Sequence, residues 1–173
     1  MRQLVKYLLA ALALLAAGGQ SAAQPQEGPQ VHVMRLIATP DLVLTSFFGV
    51  HPLQGLHTPS GGGLTHLLQI NAKLEKDKPH VARTVCAHEM GHALGVDHLD
   101  DKQCWMYAIC NEDSPILNWP NAKELEKAKV TSAGKVFRLI VDCPSNPGIA
   151  RAARWAAETW NCALERDVIQ VVR

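Results

Sequence analysis

The chain has 173 residues, 47% of them hydrophobic and 19% charged, with 17 Lys and Arg against 16 Asp and Glu. Such a composition describes one ordinary globular domain, commonly about 100–200 residues long, and excludes a chain that is disordered throughout. A formal net charge of +1 leaves no basic excess of the kind that nucleic acids or anionic membranes attract, so neither is an expected partner.

Residues 1–23 have the three-part layout of a secretory signal peptide. Arg2 and Lys6 lead, residues 7–17 form an apolar run, and the small residues Ser21, Ala22 and Ala23 precede the expected cleavage. The run is about half of what a helix needs to cross a bilayer. The expectation is therefore export, to a secreted or periplasmic location, without stable membrane insertion. Loss of Arg2 and Lys6 would tip the balance one charge to the acidic side. Residues 24–30, polar and rich in Pro and Gly, read as a flexible leader, and residues 31–173 as one domain.

Within that domain, residues 31–37 and 42–48 are rich in Val, Leu, Ile and Phe around Pro40, which predicts two strands or a strand and a tight return. Residues 49–63, with Pro, Gly and His and a closing Gly61-Gly62-Gly63, read as a loop. A strand is expected over 64–72 and a charged turn over 73–78. From 79 to about 94 the spacing predicts a helix: Pro79 suits its first turn, Val81, Val85, His88 and His92 recur at helical intervals, and Gly95 is a natural stop. Residues 99–118 read as irregular and 121–130 as a second helix. The end of the chain reads as a βαβ unit, with a strand over 135–141, an Ala/Arg/Trp helix over 146–163 and a strand over 168–172. The fold class is α+β.

All five cysteines lie in the exported part, where an oxidising compartment would let some pair, and an odd count leaves at least one unpaired. A straight helix over 147–162 would hold Cys143 and Cys162 more than about 20 Å apart, beyond the roughly 4–7 Å Cα separation of a bridge. Cys104 with Cys110 is geometrically possible. Cys86, on the 79–94 helix, is expected as a buried free thiol. Trp155 and Trp160, at helical spacing, are expected in the core.

The chemistry is concentrated in residues 88–98. His88 and His92 stand four apart, so on a helix they lie one above the other and present two imidazoles to a single ion. Zinc accepts such nitrogens at about 2.0–2.1 Å and in catalytic sites takes three protein ligands, leaving one position open. Gly95 allows a positive φ that turns the chain and brings His98 back as the third ligand. Glu89, beside a ligand without being one, is placed to take a proton from water. The remaining histidines, His32, His51, His57, His66 and His80, have no ligand spacing and are expected at the surface or rim.

The pattern His88-Glu89-x-x-His92-x-x-Gly95-x-x-His98 followed by Met106 resembles the metzincin clan of zinc metallopeptidases. The resemblance implies one catalytic zinc held by His88, His92 and His98, Glu89 as general base, and Met106 in a methionine turn beneath the metal. It also implies a metzincin-like catalytic domain and a peptide or protein substrate. The strand over 64–71 corresponds in the family to the edge strand that pairs with an extended substrate.

Within the clan, His98 to Met106 is similar to the archaemetzincins, which continue past the third histidine with Cys, four residues, Cys, any residue and Met. Residues 37–49 are similar to the strand region before their active site. Leu99 stands where their first cysteine falls, and no Cys-x-x-Cys follows Met106. The family's second, four-cysteine zinc site is therefore expected to be absent. Met106-Tyr107 also resembles the matrixins. Metzincins open with strand, helix and strand, whereas here that unit lies at 135–172. The expectation is a circularly permuted fold, against the simpler alternative of a C-terminal addition.

The function expected from all this is a secreted zinc metallopeptidase, an endopeptidase rather than an aminopeptidase. The alternative is a zinc-binding interaction protein of the same fold without activity, and retention of Glu89 favours the enzyme. Residues 24–30 contain neither Cys nor His that could block the metal, so activity is expected without maturation beyond signal removal.

Overall fold

The computed structural model describes residues 28–40, 42–46, 49–108 and 117–172. The expected signal peptide and Cys110 lie outside these residues. The strands are β1 (Gln30–Thr39), β2 (Val43–Ser46), β3 (Gly49–Pro52), β4 (Gly55–Ser60), β5 (Thr65–Asn71), β6 (Lys135–Asp142) and β7 (Ile169–Val172). The helices are α1 (Leu74–Asp77), α2 (Pro79–Ala93), α3 (Ala122–Thr131) and α4 (Pro147–Leu164), with a 3-10 turn at Gly61–Gly63. Among the described residues no helix is long and apolar enough to cross a membrane.

Five strands form one mixed sheet in the order β4-β5-β1-β6-β7, and β2 pairs with β3 in a separate hairpin. β1 is the middle strand, parallel to β5 on one side and to β6 on the other; β7 continues in parallel, and only β4 runs antiparallel. Strand side chains alternate between faces. Met34, Leu36, Leu68, Ile70, Phe137 and Leu139 are accordingly buried on one face, while Val31, Arg35 and Ile140 are exposed on the other.

Helices α2 and α4 cover the buried face. α4 is entered through Pro147 and turns Ile149, Ala152, Ala153, Ala156, Ala157 and Trp160 inward. The alanines let it approach α2 closely, and the Trp160 indole N–H donates to the Ala87 carbonyl of α2 at 3.0 Å. Trp160 is fully buried, and Trp155 packs against the same core from a partly exposed position.

Three expectations need correction. The segment 49–63 is not a loop: it holds β3 and β4, with Pro59 tolerated because β4 is a sheet edge. In consequence the strand over 64–71 is not an edge strand. β5 is bonded on both sides, by β1 and β4, and the edge belongs to β4. Finally, the charged turn over 73–78 contains the single-turn helix α1.

Candidate metal centre

Helix α2 ends because of Gly95. This residue takes φ +86°, the Gly95 N–H donates to the His92 carbonyl at 3.0 Å, and the Val96 N–H donates to the Gly91 carbonyl at 2.9 Å. These two bonds are the pair that closes a Schellman motif, and they need a left-handed residue at this position. The reversal carries His98 back over the last turn of α2. Thr131 of α3 packs against the bend, its hydroxyl donating to the Leu94 carbonyl.

The result is a three-histidine cluster. Nε2 of His98 lies 3.1 Å from Nε2 of His92 and 3.3 Å from Nε2 of His88. Nitrogens bound tetrahedrally to one zinc at about 2.0–2.1 Å stand roughly 3.3–3.4 Å apart, so the three atoms fit a single ion. In His88 and His92 the opposite ring nitrogen is already engaged. The Nδ1–H of His88 donates to the Trp105 carbonyl and that of His92 to the Val96 carbonyl at 2.9 Å. Each bond fixes a tautomer that leaves Nε2 unprotonated toward the shared point. Burial pushes the His88 imidazole down to about 4, against the opposing Trp105 bond, and lowers His92 as well. Both rings are thereby kept neutral, the form a metal requires. His88 is buried, His92 half-buried and His98 exposed, so the cluster opens on one side.

Glu89 is buried, and desolvation raises its carboxyl to about 8. Its carboxylate rests against the backbone of β4: a Cβ added at Gly55 would stand 2.3 Å from Glu89 Oε1. Only glycine leaves room there.

Met106 is fully buried below the helix, and a Cβ at Gly91 would stand 2.4 Å from its Sδ. The turn that presents it is pinned at both ends. The Leu99 N–H donates to the Met106 carbonyl at 2.9 Å, and the Met106 N–H donates to Glu124 Oε1 at 2.7 Å. Glu124 is itself buried, and its Oε2 accepts from the Asn121 N–H in a capping box that starts α3. The sequence therefore brings His88, His92, His98, Glu89 and Met106 to one place and puts Gly95 at the turn. It does not reveal Gly55, Gly91 or Glu124. A glycine inside a buried helix, which costs about 1 kcal/mol against alanine, is the signal that points to Gly91.

The expectation for the other histidines is corrected for two of them. His32 and His66 are buried, and with the half-buried His57 they form a row on β1, β5 and β4; His80 is exposed, and the His51 side chain lies outside what is described. Burial, then the neighbouring histidines, lowers His57 and His66 to about 4. Cys86 is a buried free thiol whose pKa burial raises. Cys104 and Cys143 are buried and free, and Cys162 is exposed.

The three-histidine group could hold a metal ion, and the mixed sheet with its helices is consistent with a metzincin-like fold. The family model that matches is the matrixin peptidase, over residues 62–124, which runs from the turn before β5 through the histidine cluster to the start of α3. Comparison with curated proteins and with solved structures returned no match.

Proposed function

We propose that the protein is an exported zinc metalloendopeptidase in which His88, His92 and His98 hold one zinc ion and Glu89 is the general base. The observation that carries this is the convergence of three Nε2 atoms on one point, two of them held unprotonated by their Nδ1 bonds, beside a buried carboxylate on the same helix as those two. Zinc bound there supplies Lewis acidity toward a scissile carbonyl and toward the attacking water. Glu89 accepts the water's proton on a carboxylate oxygen and returns it to the leaving amine. Burial, which raises its proton affinity, suits it to hold that proton between the two transfers, and the charge of a dication in the neighbouring cluster draws its pKa back down.

The substrate is a peptide or protein segment laid as an extended strand along β4. Among the described residues β4 is the outer strand on its side of the sheet, with no strand beyond it, and Gly55 places that strand directly against Glu89. The subfamily reading is archaemetzincin-like over 98–106, with matrixin-like Met106-Tyr107. Circular permutation is supported by the position of β6, α4 and β7, the last elements in the chain, which extend the main sheet from β1. A secreted or periplasmic location rests on the layout of residues 1–23.

The test compares the zinc-loaded protein with Glu89→Gln on a diverse peptide library read by mass spectrometry, with metal content measured on both. The expected result is cleavage at internal bonds by the parent and, in the variant, retained zinc with cleavage lost. Undiminished cleavage by Glu89→Gln rejects the assigned base. Trimming from N-termini alone would make the enzyme an aminopeptidase, and a zinc-loaded parent that cleaves nothing favours the interaction protein.

A further inference from the structure

Outside the metal cluster, the most unusual group in the core is the row of histidines at one end of the sheet. The Nε2–H of His32 faces Gln30 Oε1 at 3.2 Å, an oxygen that only accepts, which leaves His32 Nδ1 to accept from the Nε2–H of His66 at 3.2 Å. His66 Nδ1 then accepts from the Nε2–H of His57 at 3.0 Å. With one proton per ring, this pattern gives each of three histidines on three neighbouring strands one tautomer, and the Gly63 carbonyl is a further acceptor beside His32 and His66. The rings lie nearly parallel, with planes 20° apart for His32 and His66 and 21° for His57 and His66. Phe137 packs on both His32 and His66. The row does not converge on one point, because His66 offers opposite nitrogens to its two neighbours, so it is not itself a three-ligand site.

What the row reaches is His92. The His57 ring lies against that of His92, centroids 5.9 Å apart and planes 18° apart. His92 is half-buried on the last turn of α2, and its other ring contacts are with the two remaining cluster histidines, His88 and His98. Among the described residues the His57 ring and the Val96 carbonyl are contacts that order it from outside the cluster.

We propose that His57 is a positioning residue for His92, held in place through His66, His32 and Gln30, so that the orientation of one metal ligand is set from the middle of the sheet. The inference rests on the reading of His88, His92 and His98 as a zinc site. Because β4 is also the edge along which substrate is proposed to lie, His57 couples the strand that receives the peptide to the ligand set.

The test uses the full chain and measures zinc affinity by competition with a chromophoric chelator, together with the visible spectrum of the cobalt-substituted protein. His57→Ala should bind zinc roughly three- to tenfold more weakly, the range that one aromatic ring contact is worth, and should alter the cobalt bands. His57→Phe, which restores a ring without nitrogens, should recover most of the affinity. His66→Phe keeps a buried ring but neither hydrogen bond; it should shift both readouts in the same direction by less, and it carries the test if His57→Ala does not fold. His80→Ala, exposed and off the row, is the control with parental values. Parental affinity and cobalt spectrum in folded His57→Ala, or in His66→Phe where that variant stands in, would overturn the proposal alone. A parent protein that takes up no zinc would overturn it together with the zinc-site reading.

Discussion

Replacing Gly91 by alanine separates two opposing effects of known size. Gly91 lies inside α2, where alanine is favoured over glycine by about 1 kcal/mol. The new methyl, however, would stand 2.4 Å from Met106 Sδ and 3.3 Å from Trp160 Cζ2, and both side chains are fully buried. Overpacking of a closed core costs typically 1–3 kcal/mol, and the adaptable thioether keeps the cost in the middle of that range. The helix gain offsets part of it, leaving a net loss of about 1 kcal/mol, or roughly 2–4 °C in Tm for a domain of this size. The assay is reversible unfolding of the zinc-free protein, run as a double-mutant cycle with Met106→Ala. Met106→Ala alone should cost about 2–5 kcal/mol through the cavity it leaves. In its presence Gly91→Ala should become neutral or stabilising by up to about 1 kcal/mol, since the methyl then enters the vacated space. If Gly91→Ala by itself stabilises the protein, the methionine does not press on the helix as described, and the reasoning fails.

Three further outcomes are expected. In the zinc-free protein Glu89 binds a proton more tightly folded than unfolded, so its contribution to stability is lost as pH rises from about 5 to 8; His57, His66 and His88, at about 4, bind protons more tightly unfolded, so theirs is lost as pH falls from 6.5 toward 4. Unfolding followed across pH should therefore show a maximum at about pH 6–7, and Glu89→Gln should flatten the alkaline side and steepen the rise on the acid side above about pH 5. Gly95→Ala forces an L residue to φ +86° and sets its Cβ 2.9 Å from that of Thr131; it should cost about 1–2 kcal/mol in denaturant unfolding and also weaken zinc binding, because the same bend delivers His98. His98→Ala should lose zinc affinity with almost no change in zinc-free stability, whereas His88→Ala, which strands the Trp105 carbonyl, should lose both by about 1–3 kcal/mol in the latter. Calorimetry on chelated samples reads that difference.

The metal cluster was legible in the sequence because all of it follows from local geometry: one helix, one left-handed glycine and one short return bring the histidines together within eleven consecutive residues. The strands with strong apolar patterns, β1, β5 and β6, were equally plain. β4 was hidden because Gly55 and Pro59 carry turn signals, and nothing local says that a proline-bearing strand is tolerated at a sheet edge. Misreading β4 transferred the edge to β5, a difference that only the pairing partners decide. The row of His32, His57 and His66 was invisible for a related reason. Their sequence separations carry no helical or ligand spacing, and they meet only once the register aligns Met34 with His66 and Pro59 with His66, which turns all three to the inner face. Nothing in the charged 121–130 helix singles out Glu124, because its burial depends on where the methionine turn lands.

The position of β1 also bears on how quickly the chain can reach this state. It is the first strand described, yet it occupies the centre of the sheet, and its neighbours are β5, some thirty residues on, and β6, about a hundred residues on. The half of its hydrogen bonding that faces β6 must therefore wait until residues 135–142 have been made. Parallel pairing over such separations closes long loops before it gains any contact, so the search is slow, and during that interval an apolar strand stands unpaired. Holding the chain unfolded until it is complete would spare it that exposed stage, and refolding from denaturant should be correspondingly slow and sensitive to protein concentration.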